Sequence, residues 1–203
     1  MSSSNLIRWA GLAAILAGVL LVVADLLNLA IGFDVDEPLS ETATTGIYAL
    51  QSLANLLAAV LLLIGLVGLY AQQSEAAGPL GLAGFLVAFL GTALVTGFLW
   101  AGLFIVPALA VEAPAFLNEL EGPPPGFFLS LITFGVGWLL FGITTLRARV
   151  YPRIPVILLI IGAVIISLPL PFTGIVFAIA VTWLGFDLFT GREASTEQPS
   201  RVS

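Results

Sequence analysis

The chain has 203 residues, of which 60% are hydrophobic and only 9% charged, and its mean hydropathy is +1.14. A soluble domain carries roughly 25% charged and about 45–50% apolar residues, so this composition points to a membrane. His, Cys and Lys are absent and every basic residue is Arg, which excludes the usual zinc sites, disulfides, His- or Cys-based nucleophilic triads and Schiff-base chemistry. No cofactor is expected. The net charge of −6 argues against a nucleic-acid partner, leaving the lipid bilayer as the first partner.

Charges are sparse enough that the gaps between them map the crossings. A spanning helix needs about 20 mainly apolar residues, because a ~30 Å hydrocarbon core is crossed at ~1.5 Å per residue. The first span is expected over residues 7–31, interrupted only by Asp25, and is read as a signal anchor. The second covers 47–70, in the charge-free stretch between Glu41 and Glu75. The third starts near Pro79 and stops by 106, because the gap to Glu112 is too long for one crossing. In the outer loop that follows, Pro114 opens a short interfacial helical stretch, and Pro123, Pro124 and Pro125 favour a stiff polyproline spacer. The fourth span covers 127–146 and ends at Arg147 and Arg149.

The last apolar block, 154–186, would be roughly 50 Å long as one straight helix. Pro169 and Pro171, followed by Gly174, favour a break, because proline removes a backbone donor and clashes with the preceding turn. Two short spans result, 154–168 and 172–189, before a polar, disordered tail over 191–203. The fold class expected is therefore all-α: a polytopic bundle of six transmembrane helices with both termini cytoplasmic.

Arginine placement supports that count. With the N-terminus inside, Arg8, Arg147, Arg149, Arg153, Arg192 and Arg201 all fall on the cytoplasmic side, as the positive-inside rule requires. The outer loops then hold Asp34, Asp36, Glu37, Glu41, Glu112, Glu119 and Glu121 and no basic residue. A five-span chain would place Arg192 and Arg201 outside. Trp9, Tyr70 and Tyr151 land at the inner interface and Tyr48, Phe127 and Phe128 at the outer one, where amphipathic rings prefer to sit.

Two further patterns bear on assembly. Leu62–Leu69 (LLIGLVGL) resembles Leu139–Leu146 (LLFGITTL), with Gly65 matching Gly142 and Pro79 matching Pro155 at offsets of 77 and 76 residues. Either spans two–three and four–five are parallel hairpin repeats, or Leu/Gly-rich helices look alike by composition alone. Ala10, Ala14 and Gly18 share one face of the first span, as do Gly84 and Ala88 in the third, and small-xxx-small spacing lets backbones approach closely. Such faces serve packing within one chain, a homo-oligomer, or a larger membrane complex.

Asp25 is the sharpest chemical signal, because an ionisable residue inside a span is costly and no basic residue lies at its depth. Asn28 lies one turn further on the same face, and Gln51 and Asn55 share a face of the antiparallel second span. Counting inward from the acidic loop matches Asn28 with Gln51 and Asp25 with Asn55, and brings Thr96 to similar depth. These five form a candidate intramembrane polar cluster, either an interhelical clamp or a ligand, ion or proton site. Asp25 is expected to hydrogen bond to Asn55 or a nearby carbonyl. Asp187, near the inner end of the sixth span, is expected to form an interfacial ion pair with Arg192 or with Arg147 and Arg149. Trp100, Trp138 and Trp183 are read as packing residues.

An intramembrane aspartyl protease needs two carboxylates sharing a proton, but Asp25 and Asp187 lie toward opposite faces. No enzyme activity is expected, and no catalytic, cofactor-binding or metal-binding residue is assigned. The opening Ile7–Leu20 (IRWAGLAAILAGVL) and the span ending Gly65–Tyr70 (GLVGLY) resemble stretches of uncharacterised small multi-span bacterial integral membrane proteins. That resemblance implies no activity and no site residue; a prokaryotic plasma membrane is the location expected. An accessory or structural membrane component is the reading expected, with a small-solute or lipid transporter as the alternative.

Overall fold

The computed structural model describes residues 3–31, 38–120, 122–166 and 173–191. Among them the chain is all-helical: α1 (Ser3–Ile31), α2 (Leu39–Thr42), α3 (Gly46–Phe104), α4 (Val106–Glu112), α5 (Pro114–Asn118), α6 (Pro125–Ala148), α7 (Arg153–Ile166) and α8 (Gly174–Thr190). Three helical segments, Asn5–Ile31, Gly46–Glu112 and Pro125–Ala148, are long and apolar enough to cross a membrane. Pro169 and Pro171, the acidic residues Asp34, Asp36, Glu37 and Glu121, and Arg192, Arg201 and the rest of the tail lie outside the described residues.

The longest helix is a hairpin. Fifty-nine residues in a straight helix would reach about 88 Å, yet the Tyr48 hydroxyl donates to the Gly102 carbonyl at 3.1 Å and the rings of Tyr70 and Phe85 stack at 4.4 Å. The reversal occurs at Gly78, whose φ of 59° and ψ of −159° lie in a region that side chains disfavour. Pro79 then restarts the helix where a missing N–H costs nothing. Two arms result, a first up to Ala77 and a second from Pro79.

Around the bundle the order is α1, first arm, second arm, α6, α7, α8, and α8 closes back onto α1. Close approaches fix every neighbour as antiparallel. Gly65 faces Ala14 and Gly68 faces Ala10 between α1 and the first arm, and Gly11 faces Gly185 and Phe189 between α1 and α8. Gly84 lies on Leu140 and Phe141, and Gly91 on Thr133 and Phe134, where the second arm meets α6. Gly142 meets Ile160 on α7, and Gly162 meets Phe177 on α8. Consequently Arg8, Arg147, Arg149 and Arg153 share one end of the bundle with the Gly78 turn. The opposite end carries α2, α4 and α5 with Glu41, Glu112 and Glu119.

Small residues line these seams because helices in lipid gain no hydrophobic drive from pairing and rely on close backbone packing. Ala10, Ala14, Gly18, Gly84 and Ala88 therefore face the chain's own helices, with Gly18 set against Ala178 and Thr182 and Ala88 against Gly137. The large side chains fill what the seams leave. Trp138, Phe141, Phe177, Leu66 and Leu159 are fully buried, and Phe134, Trp138 and Phe177 pack ring to ring at centroid distances of 5.0–6.1 Å. Outward, Leu53, Leu57, Val60, Ile64 and Val67 form an exposed stripe at helical spacing on the first arm.

At the acidic end α2, α4 and α5 make a small cap. The Asn118 amide is the latch: its Oδ1 accepts from the Ser40 backbone N–H at 3.1 Å, and its Nδ2 donates to the Ser40 hydroxyl at 2.9 Å. Leu117, Ala110 and Ala43 bury together beneath it. Pro114 opens α5 as a first-turn proline, and Pro125, the last of the proline run, opens α6.

Candidate functional site

The register between α1 and the first arm, Ala14 with Gly65 and Ala10 with Gly68, extends to bring Asp25 level with Ala54 and Asn55, and Asn28 level with Gln51. Depth and direction then part company. The Asp25 carboxyl turns to α8, where a Cβ on Gly174 would stand 2.8 Å from its Oδ2. It therefore faces the first turn of α8, whose backbone N–H groups have no partner within the helix. The expected hydrogen bond to Asn55 does not form: Oδ2 is buried and has no hydrogen-bond partner among the described residues.

Asn55, half-buried, borders a partly open and almost wholly apolar space of about 150 Å³ with Leu21 of α1, Thr92 and Val95 of the second arm, Leu131 and Phe134 of α6 and Phe177 of α8. Thr96 points its hydroxyl back to its own helix, donating to the Thr92 carbonyl at 2.7 Å. Asn28 and Gln51 are half-buried at matching depth. The five residues thus occupy one layer, but they divide between the α8 contact, that apolar space and helix backbone.

Other polar contacts hold the bundle more directly. The Trp138 indole N–H donates to Thr92 Oγ1 at 2.9 Å, and that hydroxyl in turn donates to the Ala88 carbonyl at 2.7 Å. A buried indole needs such an acceptor, and that requirement was the available signal for Trp138, which is more than packing. Near the arginine end Gln73, fully buried, donates from Nε2 to Thr145 Oγ1 at 2.8 Å. Tyr151 is buried between α6 and α7, with its hydroxyl 3.1 Å from the Leu69 carbonyl and 3.3 Å from Gln72 Oε1. Burial pushes the Tyr151 hydroxyl above the ordinary tyrosine range, and the charge of Asp187 adds to the shift.

Asp187 is therefore a buried neighbour of Tyr151 rather than an exposed interfacial residue. The pairing expected with Arg192 lies outside the described residues. Arg8 sits with its guanidinium carbon 5.3 Å from the Phe189 ring centre, a cation–π contact between α1 and α8. No group of three His, Cys, Asp or Glu suited to a metal ion occurs among the described residues. No protein-family model, curated protein or solved structure matches the chain.

Proposed function

We propose that the chain is an accessory or structural component of a prokaryotic plasma membrane, crossing it six times with both termini in the cytoplasm. The crossings are α1, the two arms of α3, α6, α7 and α8. The gathering of Arg8, Arg147, Arg149 and Arg153 at one end, opposite Glu41, Glu112 and Glu119, supports this orientation by the positive-inside rule. The observation that carries the accessory reading is the closed core. Trp138, Phe141 and Phe177 fill the centre, and the space beside them is small and almost wholly apolar. A solute pathway needs a polar cavity near the midplane lined by interrupted helices.

The chain has no native Cys, so single-cysteine labelling tests the topology directly. Cys replacing Glu119 should react with an impermeant reagent in intact cells, and Cys replacing Glu75 should react only after permeabilisation. The reverse pattern would overturn the orientation. The accessory role predicts that the chain, tagged at its native level, migrates in mild detergent as an assembly larger than its 21.2 kDa. A lone monomer would count against it.

The buried Oδ2 of Asp25, without a hydrogen-bond partner among the described residues, favours one second reading, a transporter with a polar site beside α8. That reading requires pH-dependent uptake in proteoliposomes that Asp25→Asn abolishes without unfolding the protein.

A further inference from the structure

The outer side of the α1–α8 seam carries an open groove of about 530 Å³, with Gly18 and Thr182 as its floor and Val19, Trp183 and Phe186 on its rims. It exists because Gly18 packs on Ala178 and Thr182 and adds no side chain of its own. The Thr182 hydroxyl donates to the Ala178 carbonyl at 2.8 Å, so the floor asks for no hydrogen bond. Toward the arginine end a second hollow follows, lined by Asn5, Arg8, Trp9, Leu12 and Phe189.

One helix face runs through both hollows. On α1, Asn5, Trp9, Leu12, Leu16, Val19 and Val23 repeat at steps of three and four residues, as Ile179, Thr182, Phe186 and Phe189 do on α8. The groove therefore has a cationic mouth and an apolar body. Arg8 is exposed at the mouth, its guanidinium held over the Phe189 ring, and no Asp or Glu lines either hollow among the described residues. From Arg8 to Gly18 the rise is ~15 Å, half of a ~30 Å hydrocarbon core.

We infer that this groove is a binding site for one anionic phospholipid, its phosphate on Arg8 and one acyl chain laid over Gly18 and Thr182. Basic sites between membrane helices suit anionic headgroups, and guanidinium pairs with phosphate through parallel hydrogen bonds. The distance from Arg8 to Gly18 matches one leaflet, so a chain anchored at the mouth reaches the floor. A second helix fits less well. Helices pair in lipid through small residues, and Leu16, Trp183 and Phe186 stand exposed along this face. A flexible acyl chain threads between them.

The inference rests on the membrane placement proposed above, and cysteine labelling at Glu119 and Glu75 reads the topology separately. The test places the full chain in phosphatidylcholine nanodiscs doped with phosphatidylglycerol or phosphatidylcholine bearing a mid-chain diazirine. After irradiation, phosphatidylglycerol should label peptides spanning 18–23 and 179–186 about fivefold more than phosphatidylcholine does, the worth of one arginine beside an anionic lipid. Arg8→Gln should equalise the two lipids, whereas Arg8→Lys and the distant Arg147→Gln should keep the preference. Val19→Trp should lower labelling of both peptides by both lipids. Equal labelling by the two lipids in wild type overturns the inference, as does a preference that survives Arg8→Gln or is lost in folded Arg8→Lys. Cys replacing Val19 that cross-links most of the protein into dimers would put a second copy in the groove and overturn it too.

Discussion

The indole N–H of Trp138 on α6 points at the hydroxyl of Thr92 on the second arm of α3, 2.9 Å away, with both side chains fully buried. It is a side chain–side chain hydrogen bond between two neighbouring helices, set among the rings of Phe134, Phe141 and Phe177. In lipid such bonds contribute about 0.6 kcal/mol on average, yet a donor left unpaired costs more than the bond is worth.

Thr92→Val keeps the side-chain shape and removes the acceptor, so it should destabilise the protein by about 1–3 kcal/mol. The double variant with Trp138→Phe should lose less than the sum of the two single changes. Detergent thermal unfolding of the four proteins gives the coupling, and strict additivity would show that the bond contributes nothing.

Gly137 packs on the backbone of Ala88, so Gly137→Ala forces the second arm and α6 apart. A loss of about 1–3 kcal/mol is expected, as for overpacking elsewhere. Gly97 has open space where a Cβ would be built, and Gly97→Ala should be neutral or stabilising by up to about 1 kcal/mol. Melting temperatures that move in the same direction would contradict the seam geometry.

Gly174→Ala places a methyl group 2.8 Å from Asp25 Oδ2 and should lower the melting temperature. Asp25→Ala removes the obstacle, so the double variant should recover most of the loss. Asp25→Asn keeps the shape and should change stability by no more than about 0.5 kcal/mol. Failure of the rescue would place the Asp25 side chain elsewhere.

Tyr151 gives the chain an alkaline limit. Burial makes its folded hydroxyl hold its proton above the ordinary tyrosine value of 10.0, while the unfolded chain releases it near that value. The native state therefore binds more protons than the unfolded state once the pH passes about 10, and stability falls as pH rises from there. Tyr151→Phe should melt lower at neutral pH, having lost the bond to Leu69, but should show a shallower decline between pH 9 and 11. Parallel curves for the two proteins would refute the assignment.

Much of the architecture is legible in residue order because lipid imposes a strong rule on charge. The gap between Glu41 and Glu75 encloses most of the first arm, and Gly78 with Pro79 marks the turn through backbone geometry alone. Small residues at Ala10, Ala14 and Gly18 announce a seam because only small groups let backbones touch. Asp25 shows where such reading stops. Counting residues fixes depth at about 1.5 Å each, and on that count Asp25 is level with Asn55. Direction depends on rotation about the helix axis, at about 100° per residue, and on which neighbour stands at that angle. Nothing in α1 says that α8, distant in sequence, closes the bundle at its side. Trp138 and Thr92 were hidden for the same reason: each is ordinary within its own helix, and only the pairing of α6 with the second arm makes them partners.

The reversal at Gly78 also bears on how the bundle comes to be made. A connection of a single left-handed residue leaves almost no slack, so little chain entropy remains to be lost when the arms meet. The stack of Tyr70 on Phe85 lies only a few turns from the corner and forms among the shortest-range contacts the hairpin has. The two arms are therefore expected to pair with each other as one unit before the other helices join them.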